Sequence, residues 1–199
     1  MILVHPDTGS VAVELTDTAT LQPGQSFTNT QPLSSVGLDT NTAYLAVLLA
    51  KPAGTDTEET LDDATLTVVN APPVCSTAAV TPARIWPPNH KLVPVTVGGV
   101  TDPDGDPVTV TVTSVFQDER TDHTGDGKTC PDATGVGTGG VKVRAERSGQ
   151  LDGRVYHVFF QAEDGRGGRC ESQVTVCVPH DNHRACVDQG ALYDSTVCD

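Results

Sequence analysis

Residues 102–116 read DPDGDPVTVTVTSVF, and their alternation constrains the fold more than any other feature of the chain. Val108, Val110 and Val112 fall on one side of an extended backbone, and Thr109, Thr111 and Thr113 on the other. A period of two residues is that of a β-strand with one dry face and one wet face. The strand is fed by a turn with three aspartates at alternate positions, Asp102, Asp104 and Asp106. Gly105 lies inside that turn, and Pro103 and Pro107 stiffen its flanks. Elsewhere the same grammar recurs. No segment combines a capping signal with a sustained 3.6-residue period, and residues 57–66 predict one short helical turn at most.

Two units are expected, joined at residues 71–73, where Ala71-Pro72-Pro73 reads as an extended linker. The first, residues 1–70, predicts strands at 2–5, 10–16, 44–50 and 64–69. Turn signals lie at 22–25 and 52–54. It carries nine acids against one base, Lys51. The second, residues 74–179, predicts strands at 74–80, 91–97, 107–116, 141–146, 154–162 and 173–178. Residues 163–168 (EDGRGG) form a hairpin loop. Six strands with glycine-rich turns over about 105 residues predict an all-β, Greek-key sandwich of immunoglobulin or cadherin type. Residues 180–199 are polar and irregular, and would be disordered unless tied down.

Hydrophobic residues make up 37% of the 199 residues and aromatics 4%, so any core is built from Val, Leu and Ala. Such thin cores often need staples. Six cysteines, an even number without zinc-type spacing, predict disulfides and an oxidising, extracellular setting. Six allow fifteen connectivities. Strand parity favours one of them. Val174, Val176 and Val178 share an inward face with Cys170, which suits Cys75–Cys170 across the unit. Cys177 has the opposite parity and suits Cys186 in the tail. Cys130 and Cys198 remain, and would pin the long loop to the C-terminus.

The net charge of −14 disfavours nucleic acid, which needs a basic face, and anionic membrane surfaces. The longest apolar run, residues 43–50, is too short to insert in a bilayer. No leader-like apolar run follows Met1, so an export signal is expected outside this sequence.

The acidic residues suggest calcium, a hard cation that takes six to eight oxygens. Asp102, Asp104 and Asp106 form one candidate cluster. Asp164, next to Glu163 in the later hairpin loop, completes it if both loops share one end of the sandwich. The plainer alternative is that Asp-Pro and Asp-Gly are simply good turn formers. A second cluster, Glu119, Asp122, Asp126 and Asp132, lies in a long loop. It weakly resembles an EF-hand loop but lacks the twelfth-position glutamate. Its alternative is a solvated acidic loop held by Cys130. His90, His157, His180 and His183 invite a zinc reading, but His180 and His183 stand three apart in an irregular tail and no cysteine pair has finger spacing. His157 sits mid-strand with Val155 and Phe159, where a structural role fits better. Trp86, beside two prolines, suits a hydrophobic plug better than a sugar platform. Nucleophile-elbow, zincin and phosphate-loop motifs are missing from the sequence.

Four stretches together carry a resemblance: IWPPNHKLV (85–93), VTDPDGDPVTVTVTSVFQDE (100–119), AERSG (145–149) and RVYHVFFQAEDGRGG (154–168). They resemble the cadherin-like and immunoglobulin-like repeats of secreted and surface proteins of bacteria, over about residues 75–180. The resemblance implies a non-enzymatic module that binds calcium and stands in tandem or beside enzymes and adhesins. Cys130 and Cys198 depart from that pattern. The expectation is a secreted or cell-surface structural and adhesive module, rigidified by calcium and disulfides. Its partners would be neighbouring domains or copies of itself, or a surface protein or glycan. The alternative is a carbohydrate-binding accessory module of a secreted hydrolase.

Overall fold

A computed structural model describes residues 1–5, 7–16, 38, 43–50, 58–122 and 125–198. The turn signals at 22–25 and 52–54 lie outside these residues. The described chain is all-β, with three four-stranded sheets of antiparallel pairs and one 3₁₀ turn at Cys75–Thr77. It divides into two compact units, Met1–Asn70 and Ala71–Asp199.

In the first unit the strands are β1 (Ile2–Val4), β2 (Val11–Glu14), β3 (Ala43–Ala50) and β4 (Glu59–Thr67), ordered β2-β1-β3-β4. Leu3, Leu38, Tyr44 and Val68 are its buried hydrophobics. Of residues 57–66, where one short helical turn at most is expected, residues 59–66 belong to β4 instead. Those residues pair with β3, Leu66 opposite Tyr44 and Thr60 opposite Leu49, and a register shift near Leu48 takes up the mismatch. Ladder hydrogen bonds here override the helical leaning of the acidic run.

The second unit contains β5 (Ala79–Thr81), β6 (Leu92–Gly98), β7 (Thr109–Gln117), β8 (Ala133–Thr134), β9 (Gly140–Arg144), β10 (Gly153–Glu163), β11 (Arg169–Pro179) and β12 (Tyr193–Asp194). One sheet runs β5-β6-β9-β8 and the other β11-β10-β7-β12. Their inner faces share one core. Val95 and Val97 of β6 and Val141 and Val143 of β9 meet Val112 and Val115 of β7, Tyr156, Val158 and Phe160 of β10, and Val174, Val176 and Val178 of β11. Two sheets contributing to one dry layer make a sandwich-like body. The chain changes sheets after β5. Residues 83–85 run parallel to β11, where Cys177 N donates to Ala83 O and Ile85 N to Cys177 O.

The alternation of β7 does not run unbroken. Phe159 pairs with Ser114, but Phe160 pairs with Val112, so Thr113 is an extra residue. Such a bulge flips the faces beyond it. Val112 and Val115, three apart, are therefore both buried, and Phe116 turns outward to meet Phe159 edge to face.

The disulfides are Cys75–Cys170, Cys130–Cys198 and Cys177–Cys186, the connectivity that strand parity favours. The tail is an integral part of the unit. Leu192 N donates to Gln117 O, Ser195 N to Val115 O, and Ser195 O accepts from Asp132 N and Ala133 N. Cys177–Cys186 and a His157–Asp188 contact of 2.9 Å tie the tail to the outer face of β10 and β11. One end of β10 is thus buried on both sides.

Candidate metal centre and a buried charge cluster

The aspartate turn lies where the chain leaves β6 and enters β7. Asp102 organises it: its Oδ1 accepts from Asp104 N at 2.8 Å and Asp106 N at 3.3 Å, and its carbonyl accepts from Gly105 N. Gly105 has φ +81°, which a residue with a Cβ adopts only under strain. The second oxygen of Asp104 accepts from Ala71 N at 2.7 Å, which fastens the start of the unit to the turn.

Folded this way, the three carboxylates each present an oxygen within 4.8 Å of the other two. Asp102 Oδ2 and Asp106 Oδ2 are buried and receive no hydrogen bond. Asp106 Oδ1 is 2.8 Å from Arg166 Nε, so one of the three charges already has a cation beside it. Three converging carboxylates, two of which keep a buried oxygen that receives no hydrogen bond, suit a hard divalent cation.

Asp164 does not join this group. Its Oδ1 accepts from Arg166 N at 2.7 Å and Gly168 N at 3.0 Å and so closes its own hairpin. The two loops do share an end of the unit, and Arg166 to Asp106 links them.

The long loop is arranged around a different cation. Glu119, Asp126 and Asp132 are buried, and the charge they face is the guanidinium of Arg154 on β10, itself without solvent exposure. Arg154 Nη1 is 2.6 Å from Asp132 Oδ2, and Nε is 3.2 Å from Glu119 Oε2. Nη2 is 3.8 Å from Asp126 Oδ2, and Glu146 Oε1 is 4.0 Å from Nη1. Arg154 also donates to Arg120 O and the Tyr156 hydroxyl. Asp122 is exposed and stands apart. The carboxylates expected to wrap calcium in this loop thus surround a resident side-chain cation.

A second layer holds the first. Gln117 Nε2 donates to Asp132 Oδ2, Ser148 N to Glu119 Oε2, and Arg144 Nε lies 3.3 Å from Asp132 Oδ1. Glu146 Oε2 accepts from Thr129 Oγ1 and lies 2.8 Å from His90 Nδ1. Burial raises the carboxyls of Glu119 and Asp132 above the usual range, against the pull of Arg154. Burial likewise raises Asp118, whose oxygens accept from Val155 N and Gln189 N. The Tyr156 hydroxyl, fully buried, is also pushed up by desolvation and stays neutral.

Arg154 carries a signal in the sequence that the acidic loop itself does not. In RVYHVFFQA it shares parity with Tyr156, Val158 and Phe160, the core face. An inward arginine demands carboxylates.

Among the histidines, His157 is held between Asp188 and Gln173, which is a structural role. Trp86 is 43% exposed, more open than a plug would be. No protein-family model matches the chain, and no characterised protein or solved structure does either.

Proposed function

We propose that this chain is a non-enzymatic structural and adhesive module of a secreted or surface-exposed protein, stiffened by calcium at Asp102, Asp104 and Asp106 and by three disulfides. The observation that carries the reading is the convergence of those three carboxylates, with two buried oxygens that no donor reaches. The three disulfides support an oxidising, extracellular setting. The resemblance to cadherin-like and immunoglobulin-like repeats belongs to the same reading. It is supported by two packed antiparallel sheets and by the strand that changes sheets at residues 82–85.

The action is mechanical. Bound calcium neutralises carboxylates that otherwise repel, and it fixes the turn that fastens Ala71. Neighbouring domains or further copies of the chain are the partners this suits. Calcium titration of the purified protein tests the reading. The expected dissociation constant is about 10⁻⁴–10⁻³ M, the range of extracellular modules. Asp106→Asn is expected to weaken binding by about tenfold or more, since a charged ligand is lost. No binding at millimolar calcium would contradict it.

A second reading, a carbohydrate-binding accessory module, is favoured by one observation, the exposure of Trp86. A glycan array showing hits that Trp86→Ala removes would support it, and an array without hits would dismiss it.

A further inference from the structure

Five carboxylates on the rim of the second unit are almost wholly buried: Asp118, Glu119, Asp126, Asp132 and Glu146. Two guanidinium groups, Arg154 and Arg144, face them. His90, half exposed, touches Glu146. Asp188 faces Asp118 from the tail, and the neutral Tyr156 hydroxyl faces Arg154 from its own strand. Fully ionised, the five buried carboxylates outnumber the two guanidinium groups that face them. Uncompensated buried charge is costly, so it is relieved by an ion or a proton. Of the described residues, only the Asp102 turn has carboxylates spaced for a metal. Here, moreover, Glu119 Oε1 and the Gln117 amide oxygen are buried and accept no hydrogen bond, while Asp132 Oδ1 and Glu146 Oε1 have only ion-pair contacts, 3.3 Å to Arg144 and 4.0 Å to Arg154.

The cluster is also a joint. Asp118 and Glu119 follow β7, Asp126 and Asp132 belong to the long loop, Glu146 follows β9, and Arg154 lies on β10. Asp118 Oδ2 accepts from Gln189 N of the tail, and Asp132 N donates to Ser195 O.

We propose that this cluster is a pH-sensitive clamp that closes by taking up protons on its surplus carboxylates. Acid then tightens the long loop and the tail against the sheets, and alkali loosens them. The direction follows from linkage. Burial raises Asp118, Glu119 and Asp132 in the folded protein. A raised carboxyl contributes stability that is full below the unfolded value near 4 and is lost as pH climbs through the folded value. Glu119 is the principal acceptor. Asp132 lies between two guanidinium groups, whereas Glu119 meets Arg154 alone and has a bare oxygen.

The test is thermal unfolding of the whole disulfide-intact chain, followed by fluorescence of Trp86, the single tryptophan, which lies in the second unit. It is run in EDTA, so that no metal contributes at the Asp102 turn. About 0.5 M NaCl confines surface charge repulsion to about 4 Å. Tm is expected to rise by about 4 °C or more from about pH 8 to about pH 5. Glu119→Gln, which keeps an acceptor for Ser148 N, is expected to remove most of that rise. A Tm that stays level or falls on acidification overturns the proposal, as does a Glu119→Gln slope equal to the wild type's. Should that variant not fold, the infrared spectrum of the folded wild type decides. A protonated-carboxyl band at about pH 6, well above ordinary carboxyl values, is required, and its absence overturns the proposal.

Discussion

A guanidinium without solvent contact persists only where several oxygens hold it, and Arg154 has contributions from Asp132, Glu119, Tyr156 and the carbonyl of Arg120. Burial works against its charge, but Tyr156, Asp132 and Glu119 outweigh that and keep it firmly protonated. Removing it leaves buried carboxylates facing one another. Arg154→Met is predicted to destabilise the second unit by about 3–5 kcal/mol, the cost of breaking a buried pair. Denaturant unfolding checks this, and a loss below about 1 kcal/mol contradicts it. Arg154→Lys is expected to recover little, because one ammonium cannot imitate a planar fork that reaches several acceptors. At this scale the sequence was half legible. The parity of residues 154–162 marks Arg154 as inward. Its partners lie 22 and 35 residues earlier, at Asp132 and Glu119, and no spacing rule joins them. Hard oxygens attract a divalent ion and a guanidinium alike, so an acidic loop by itself does not say which cation it surrounds.

Among the elements, β7 shows what periodicity can and cannot deliver. Alternation places Val108, Val110 and Val112 toward the core, and the bulge at Thr113 then keeps Val115 there too. A reader of the sequence sees two valines three residues apart, but only pairing with β10 shows that a bulge reconciles them. The segment 57–66 has the reverse lesson. Its acids lean toward a helix start, and the neighbouring β3 captures residues 59–66 as a strand. The tail protects sheet edges. Tyr193 and Ser195 cover β7 near Gln117 and Val115, and residues 137–138 cover it at Val112. Covered edges resist unwanted strand pairing. The disulfides that hold this arrangement close loops of different length. Replacing Cys130 and Cys198 by Ala opens a 68-residue loop and is predicted to cost about 4 kcal/mol. Replacing Cys177 and Cys186 opens a 9-residue loop and is predicted to cost about 2.5 kcal/mol. Chemical unfolding of the two double variants checks the order, and the reverse order contradicts the account.

Over the whole molecule, charge and staples set the conditions under which the fold is useful. A net charge of −14 keeps the surface solvated and repels polyanions, and it also makes cations the natural ligands of the exposed turns. The Asp102 turn gathers that tendency at one point, next to Ala71, where the second unit begins. The buried Arg154 cluster satisfies it internally at another. On the proposed reading, calcium would set the rigidity of such a module, and its three disulfides set its connectivity. The most direct measurement is thermal unfolding of the oxidised chain in about 10 mM calcium and in EDTA. Calcium at about ten to a hundred times the dissociation constant adds about 1.4–2.7 kcal/mol, which predicts a Tm of the Trp86-reporting transition about 5–10 °C higher than in EDTA. It also predicts that Asp106→Asn loses about half of that difference or more. Equal melting temperatures in calcium and EDTA would contradict the account and leave Asp102, Asp104 and Asp106 as turn formers alone.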